Sequence, residues 1–225
     1  MRRILCRPIQ SKLAGRTTLI EVQATLSSGA SEKIPIASHT ERVNLSSKSI
    51  MVLDLGALDA LDNLQELILS DNKLMGIDLS VLAFCPSIRS VEINENSLRV
   101  VDLTPLSYCE NLEKISLSSN HIVRIDLSPL ADCKSLSTLD LSDNRILSLE
   151  LGPLSKCHKL EELVLTGNEL KRLDLTALFS CPVLRSLPVS EGTRLVSRRR
   201  SDIELLNPPV LNDLISANRI DFTNE

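Results

Sequence analysis

The chain has 225 residues, 43% of them apolar and 24% charged, with a formal net charge of -4 at pH 7. That length suffices for one folded unit without requiring two, and the mild acidity argues against a general affinity for nucleic acid, which calls for a basic domain. Aromatic residues make up 2% of the sequence, with no Trp and a single Tyr, so any core must be built from aliphatic side chains.

In chain order, residues 1–39 form a flank. Its Arg-rich start lacks the apolar run of about 7 to 15 residues that a secretory signal needs. No stretch of the chain approaches the roughly 20 continuous apolar residues that span a bilayer. These features predict no membrane association and an intracellular, cytoplasmic location. Cys6 has no assignable role. The segment TTLIEVQATL (17–26) alternates in polarity and predicts a strand or hairpin covering the first coil, then a Ser/Gly-rich link.

From there the chain repeats with a step of 24 residues. Cysteines recur at Cys85, Cys109, Cys133, Cys157 and Cys181, and asparagines at Asn72, Asn96, Asn120, Asn144 and Asn168. The leading apolar residues Leu64, Ile88, Leu112, Leu136, Leu160 and Leu184 keep the same interval. A fixed period of this length marks a stacked array of one supersecondary unit. The boundaries read as a degenerate capping repeat at 40–63, five full repeats at 64–183, and a half repeat with a C-terminal cap at 184–225. In the first, Lys48 and Leu61 occupy the Asn and Cys slots.

The unit Leu112–Ser135 shows the internal plan. Leu112, Ile115 and Leu117 face one way, and Lys114, Ser116 and Ser118 the other, which predicts a short strand. Asn120 sits at the turn, where its amide can both donate to and accept from the backbone of neighbouring coils. Ile122, Ile125 and Leu127 return to the core. SPLADC then reads as a short helix with Ser128 as N-cap and Pro129 at its first position. Thr104-Pro105, Gly152-Pro153 and Thr176-Ala177 are the equivalents.

At the far end, Leu184, Leu187 and Val189 begin a seventh strand that Pro188 interrupts. Proline cannot donate to a ladder, so stacking is expected to stop there. A basic run, Arg198-Arg199-Arg200, reads as a solvated turn. Beyond it Leu211, Leu214, Ile215 and Ile220 predict a helix capping the last coil.

The chemistry-bearing residues keep the same beat. One cysteine per coil at a fixed slot predicts a buried ladder, unlike the clustered spacing of zinc sites or disulfide frameworks. A carboxylate ladder (Asp54, Asp78, Asp102, Asp126, Glu150, Asp174) precedes each helix by two residues, where unpaired N–H groups favour negative charge. Bound calcium is the competing reading of that ladder. His39, His121 and His158 occupy unrelated slots. No Gly-rich phosphate loop and no GxSxG are present. The sequence therefore predicts no enzyme activity, no metal, no cofactor and no small-molecule substrate.

The strand pattern LxxLxLxxN, as in Leu136-Ser-Thr-Leu139-Asp-Leu141-Ser-Asp-Asn144, resembles the leucine-rich repeat. Its IDLSPLxxC tail resembles the intracellular branch of that family. The resemblance implies an α/β fold: a right-handed curved solenoid with a parallel sheet on its concave face and short helices or helical turns on the convex one. It further implies a scaffold or adaptor that binds an unidentified protein partner, or a regulatory subunit of an enzyme. The residues facing outward from the strands are the candidate contacts: Glu66, Ile68, Asp71, Glu92, Asn94, Glu95, Lys114, Ser116, Asp140, Asp143, Glu162 and Val164. Beside them runs a basic rim of Lys73, Arg99, Arg124, Arg145, Lys171 and Arg172. Association with RNA along that rim, or a self-associating structural array, are the alternatives.

Overall fold

The structure, a computed structural model, describes residues 18–198 and 207–223; Cys6, Arg199 and Arg200 lie outside them. The alternating N-terminal segment forms an antiparallel hairpin, β1 (Leu19–Leu26) and β2 (Ser31–Ala37). Val22 and Ala24 face inward from β1 and are buried. The first coil continues the chain with β3 (Arg42–Asn44) and β4 (Ile50–Asp54), and β4 pairs antiparallel with β1. The hairpin thus lies against the second extended segment of that coil and not against its leading strand.

Each later coil opens with a three-residue strand: β5 (Glu66–Ile68), β6 (Ser90–Glu92), β7 (Lys114–Ser116), β8 (Thr138–Asp140) and β9 (Glu162–Val164). With β3 they form one parallel sheet in the order β3-β5-β6-β7-β8-β9. The register advances by one repeat per strand, so Glu66 lies opposite Ser90, Ser90 opposite Lys114, and Thr138 opposite Glu162. The middle residue of each strand points inward, and Leu67, Val91, Ile115, Leu139 and Leu163 are all buried. The fold is a right-handed solenoid with this sheet on the concave face.

On the convex side each coil carries a single turn of five residues, such as Ser80–Phe84 and Ser128–Asp132. These are 3₁₀ turns: Leu82 N–H donates to Leu79 O, and Cys85 N–H to Leu82 O. A short segment pinned between an inward Leu and an inward Cys favours the longer rise per residue of the 3₁₀ form. The expected cap is displaced. Leu127 holds the N-cap position without a side-chain bond, and Ser128 is already the first helical residue. The carboxylate two residues earlier performs the capping: Asp126 accepts from Ser128 N–H at 2.8 Å. Asp54, Asp78, Asp102 and Asp174 do the same for Gly56, Ser80, Thr104 and Thr176.

Stacking runs past Pro188. Ser186 and Val189 bridge to Glu162 and Leu165, and Pro188 O accepts from Leu165 N–H at 2.9 Å. Pro188 lacks the N–H that its equivalents in earlier coils donate back to the preceding strand, so the continuous ladder gives way to two isolated bridges here. The second extended segments continue. β10 (Arg172–Asp174) pairs parallel with β11 (Arg194–Arg198). The α-helix α1 (Pro209–Ser216) then buries Leu211, with Leu214 and Ile215 packed against the core. Ile220 does not belong to this helix. Asn218, at φ 54, turns the chain, and Ile220 opens β12 (Ile220–Thr223), parallel to β11.

Candidate functional site

Two buried ladders hold the coils at a fixed pitch. The Asn120 side chain accepts from Leu98 N–H at 3.0 Å and donates to the carbonyls of Ile93, Leu117 and Ser118. Asn96, Asn144 and Asn168 repeat this set, and the Asn72 carbonyl accepts from both Lys48 and Ile50 N–H. Each asparagine therefore ties its own turn to the coil before it.

The cysteines form the second ladder. All five from Cys85 to Cys181 are free thiols and buried. The Cys109 Sγ donates to Leu82 O at 3.4 Å, and Cys133, Cys157 and Cys181 reach Leu106, Leu130 and Leu154 O at 3.3 Å. Burial pushes Cys85 and Cys157 up to about 11 and Cys109, Cys133 and Cys181 up to about 12. A thiol held protonated and out of water is inert.

The concave face is built from four outward columns, because the first and last residues of each strand and the second and third residues after it present side chains at one-repeat intervals. Much of its charge is neutralised internally. Glu66 pairs with Arg42 at 3.2 Å and Glu92 with Lys114 at 3.0 Å. Asp140 accepts from both the N–H and the hydroxyl of Ser142. Ser70 donates to Asn94 at 2.7 Å, and Ser186 to Glu162 at 3.3 Å. Ile68 and Ser116, expected among the displayed residues, are buried at 8% and 6% exposure. Both stand in register with a longer side chain on the next strand, Ile68 with Glu92 and Ser116 with Asp140. Val164 stays partly exposed.

The column just before the asparagines differs. Asp71, Glu95, Ser119 and Asp143 stand at φ 53, 55, 54 and 51, in the left-handed region, with Gly167 at φ 70 ending the series. Asp71, Glu95 and Asp143 are exposed, and none has a cation within 4.0 Å among the described residues.

The basic rim is spread over three columns beyond the asparagines: Lys73 and Arg145 in the first, Arg99 and Lys171 in the second, Arg124 and Arg172 in the third. All six are exposed, and among the described residues none forms an ion pair. They do not neutralise the carboxylate ladder. That ladder is stabilised by hydrogen bonds: the Ser80 backbone holds Asp78, and the hydroxyls of Thr104 and Ser128 hold Asp102 and Asp126, below the ordinary carboxylate range. Sequence reasoning named the rim cations but missed the apolar residues between them. Met51, Val52, Met75, Val100, Val123 and Leu147 are exposed. Superposing the repeats finds them, since they share the second and third columns with the cations, Gly76 and Ser148 being the exceptions.

The histidines stay apart. His121 Nδ1 lies 3.0 Å from Asn120 O and His158 Nδ1 2.9 Å from Ser180 O. Among the described residues no three His, Cys, Asp or Glu side chains group as a metal site, and no helix is long and apolar enough to cross a membrane.

Comparison with known proteins places this architecture. A family model described as leucine rich repeat matches residues 86–146 and 134–191, and a second leucine-rich-repeat model matches 63–85. Among solved structures, an internalin from Listeria monocytogenes is similar over 82% of this chain at a TM-score of 0.56 and 21% identity, a likeness of fold alone. The chain spans 47% of that protein. An internalin C2 from the same organism shares 25% identity over 66% of this chain and 70% of its own, at a TM-score of 0.46. No curated protein matches the sequence. The matched repeats run from the second coil to the edge of the concave sheet, and with the paired parallel strands and the asparagine ladder they make this chain a member of the leucine-rich-repeat family.

Proposed function

We propose that the protein is a non-enzymatic scaffold that binds one protein partner on its concave face, as an adaptor or as a regulatory subunit. The observation that carries this reading is the column of exposed carboxylates at Asp71, Glu95 and Asp143 without a cation partner among the described residues, set on a sheet where Glu66 and Glu92 are paired with Arg42 and Lys114 and Asp140 and Glu162 accept from serine hydroxyls. Charges left unpaired on a pre-organised surface steer a partner of opposite sign and fix its register. The partner is therefore a protein with a basic ridge, and it supplies the aromatic anchors that this face lacks. Five free buried thiols suit a reducing compartment, and we assign the protein to the cytoplasm on that ground.

The test is affinity capture from host lysate with wild type and with an Asp71→Lys, Glu95→Lys, Asp143→Lys variant, then titration of the captured protein in purified form. The reading expects one saturable partner whose affinity falls at least about tenfold in the variant and weakens with salt. Equal binding by both proteins removes the concave face as the site.

A further inference from the structure

Six of the eleven large apolar side chains exposed among the described residues lie on one flank of the solenoid: Met51, Val52, Met75, Val100, Val123 and Leu147. They occupy the two adjacent outward columns of the second extended segments. Each coil from the second to the fifth contributes one aliphatic and one cation to this strip or its margin: Met75 with Lys73, Val100 with Arg99, Val123 with Arg124, Leu147 with Arg145. The sixth coil contributes Lys171 and Arg172. The exposures are substantial, 61% for Met75 and 70% for Val100. Exposed apolar side chains grouped on one flank in this way mark a docking site more often than ones scattered singly.

We propose that this flank binds an acidic amphipathic α-helix laid across the coils. Four features select that occupant. The strip's cations have no carboxylate within 4.0 Å among the described residues, whereas Arg42 and Lys114 on the sheet are paired with Glu66 and Glu92, so an anionic partner is the complement. The exposed side chains are aliphatic, which suits an apolar helix face and offers no aromatic platform for nucleic-acid bases. The pitch also discriminates. Coils stack about 4.8 Å apart, close to the 5.4 Å turn of a helix, while an extended peptide presents same-face side chains about 6.7 Å apart and loses register within two coils. From Met51 to Lys171 is five coil steps, about 24 Å, or roughly 16 helical residues.

The fourth feature confines the partner's charge. Asp78, Asp102 and Asp126 come after the strip within each coil, and Asp71, Glu95 and Asp143 come before it. The strip is thus bordered by carboxylates on both sides, and the partner's acidic side chains must fall on the strip's cations themselves. This surface is separate from the concave carboxylate column, and the two sites stand or fall independently.

The test uses the whole chain and a fluorescein-labelled 16-residue peptide, stapled as a helix, with leucines on one face and glutamates along the edge. Fluorescence anisotropy is read for wild type, for Met75→Ser/Val123→Ser/Leu147→Ser, for Arg99→Glu/Arg124→Glu/Lys171→Glu, and for the concave Asp71→Lys/Glu95→Lys/Asp143→Lys variant. Circular dichroism confirms that each remains folded, as expected for exposed positions. The proposal expects saturable binding that weakens at least about tenfold in both strip variants, is not weakened in the concave variant, and is lost for a scrambled peptide of the same composition. No saturable binding, equal binding of the scrambled peptide, or loss only in the concave variant overturns it. So does strip-dependent binding of single-stranded RNA or anionic phospholipid vesicles tighter than that of the peptide.

Discussion

Asn120→Ala removes the bond to Leu98 N–H, and that proton has no other acceptor. The three carbonyls it serves fare differently. Ile93 O keeps the Asn96 amide, Leu117 O keeps the Asn144 amide, and Ser118 O keeps Glu95 N–H. The cost is therefore one orphaned buried donor, about 1–3 kcal/mol, together with two lost amide donations of about 0.5–1.5 kcal/mol each. A central figure near 4 kcal/mol lowers Tm by roughly 8–16 °C in a chain of this size. Urea and thermal unfolding monitored by far-ultraviolet circular dichroism measure it, with Asn111→Ala as reference. Asn111 is exposed and makes one bond, to Pro86 O at 3.1 Å, so its loss should cost about 0.5 kcal/mol or less. If the two variants lie within about 1 kcal/mol of each other, the asparagine ladder does not hold the coils together and the reasoning fails.

Three further outcomes are expected. Burial raises the five thiols to about 11 or 12, so the unfolded chain, with ordinary thiols, loses protons first as pH rises; stability should fall from about pH 9 upward to about 12, and native thiols should resist iodoacetamide at pH 8 yet react in urea. Rapid labelling of any of these five without denaturant, read by peptide mapping, would contradict the buried ladder. Glu150 stands where every other coil has an aspartate bonded to the helix N–H, and Gly152 lacks that partner, so Glu150→Asp should raise stability by about 0.5–1 kcal/mol in urea titration; no gain would mean that the carboxylate caps contribute nothing. Glu95 bears the left-handed penalty at φ 55, and Glu95→Gly should stabilise by up to about 1 kcal/mol after the entropy of glycine is deducted, read as a rise in Tm. A fall would place the strain elsewhere.

What could be read from the sequence was what recurs. A slot filled by Leu, Cys or Asn in every coil declares its environment, because the same neighbours surround it each time. The strand faces and both ladders came from that. The cap residue did not. Ser128-Pro129 fits a serine cap before a proline equally well as a first helical turn capped by Asp126, and only the hydrogen bond decides between them. Pro188 misled for a related reason: it breaks one sheet edge, while the second extended segments pair without it through β11 and β12. Ile68 and Ser116 were misplaced because alternation tells which way a side chain points and not whether its neighbours are long enough to cover it. The aliphatic flank is not legible in the sequence because its positions change character from coil to coil.

The bonds that join neighbouring coils recur at fixed offsets along the chain, 22 and 27 residues for the asparagines and 27 for the cysteines. Every such link is local to adjacent coils, and none knows how many coils lie beyond. Excising 24 consecutive residues from the interior, wherever the cut begins, would bring together ends that find the partners they had before. Losing 23 or 25 would shift every later rung out of its socket. The molecule's length is therefore quantised, and lineages carrying this repeat should differ from one another by whole coils.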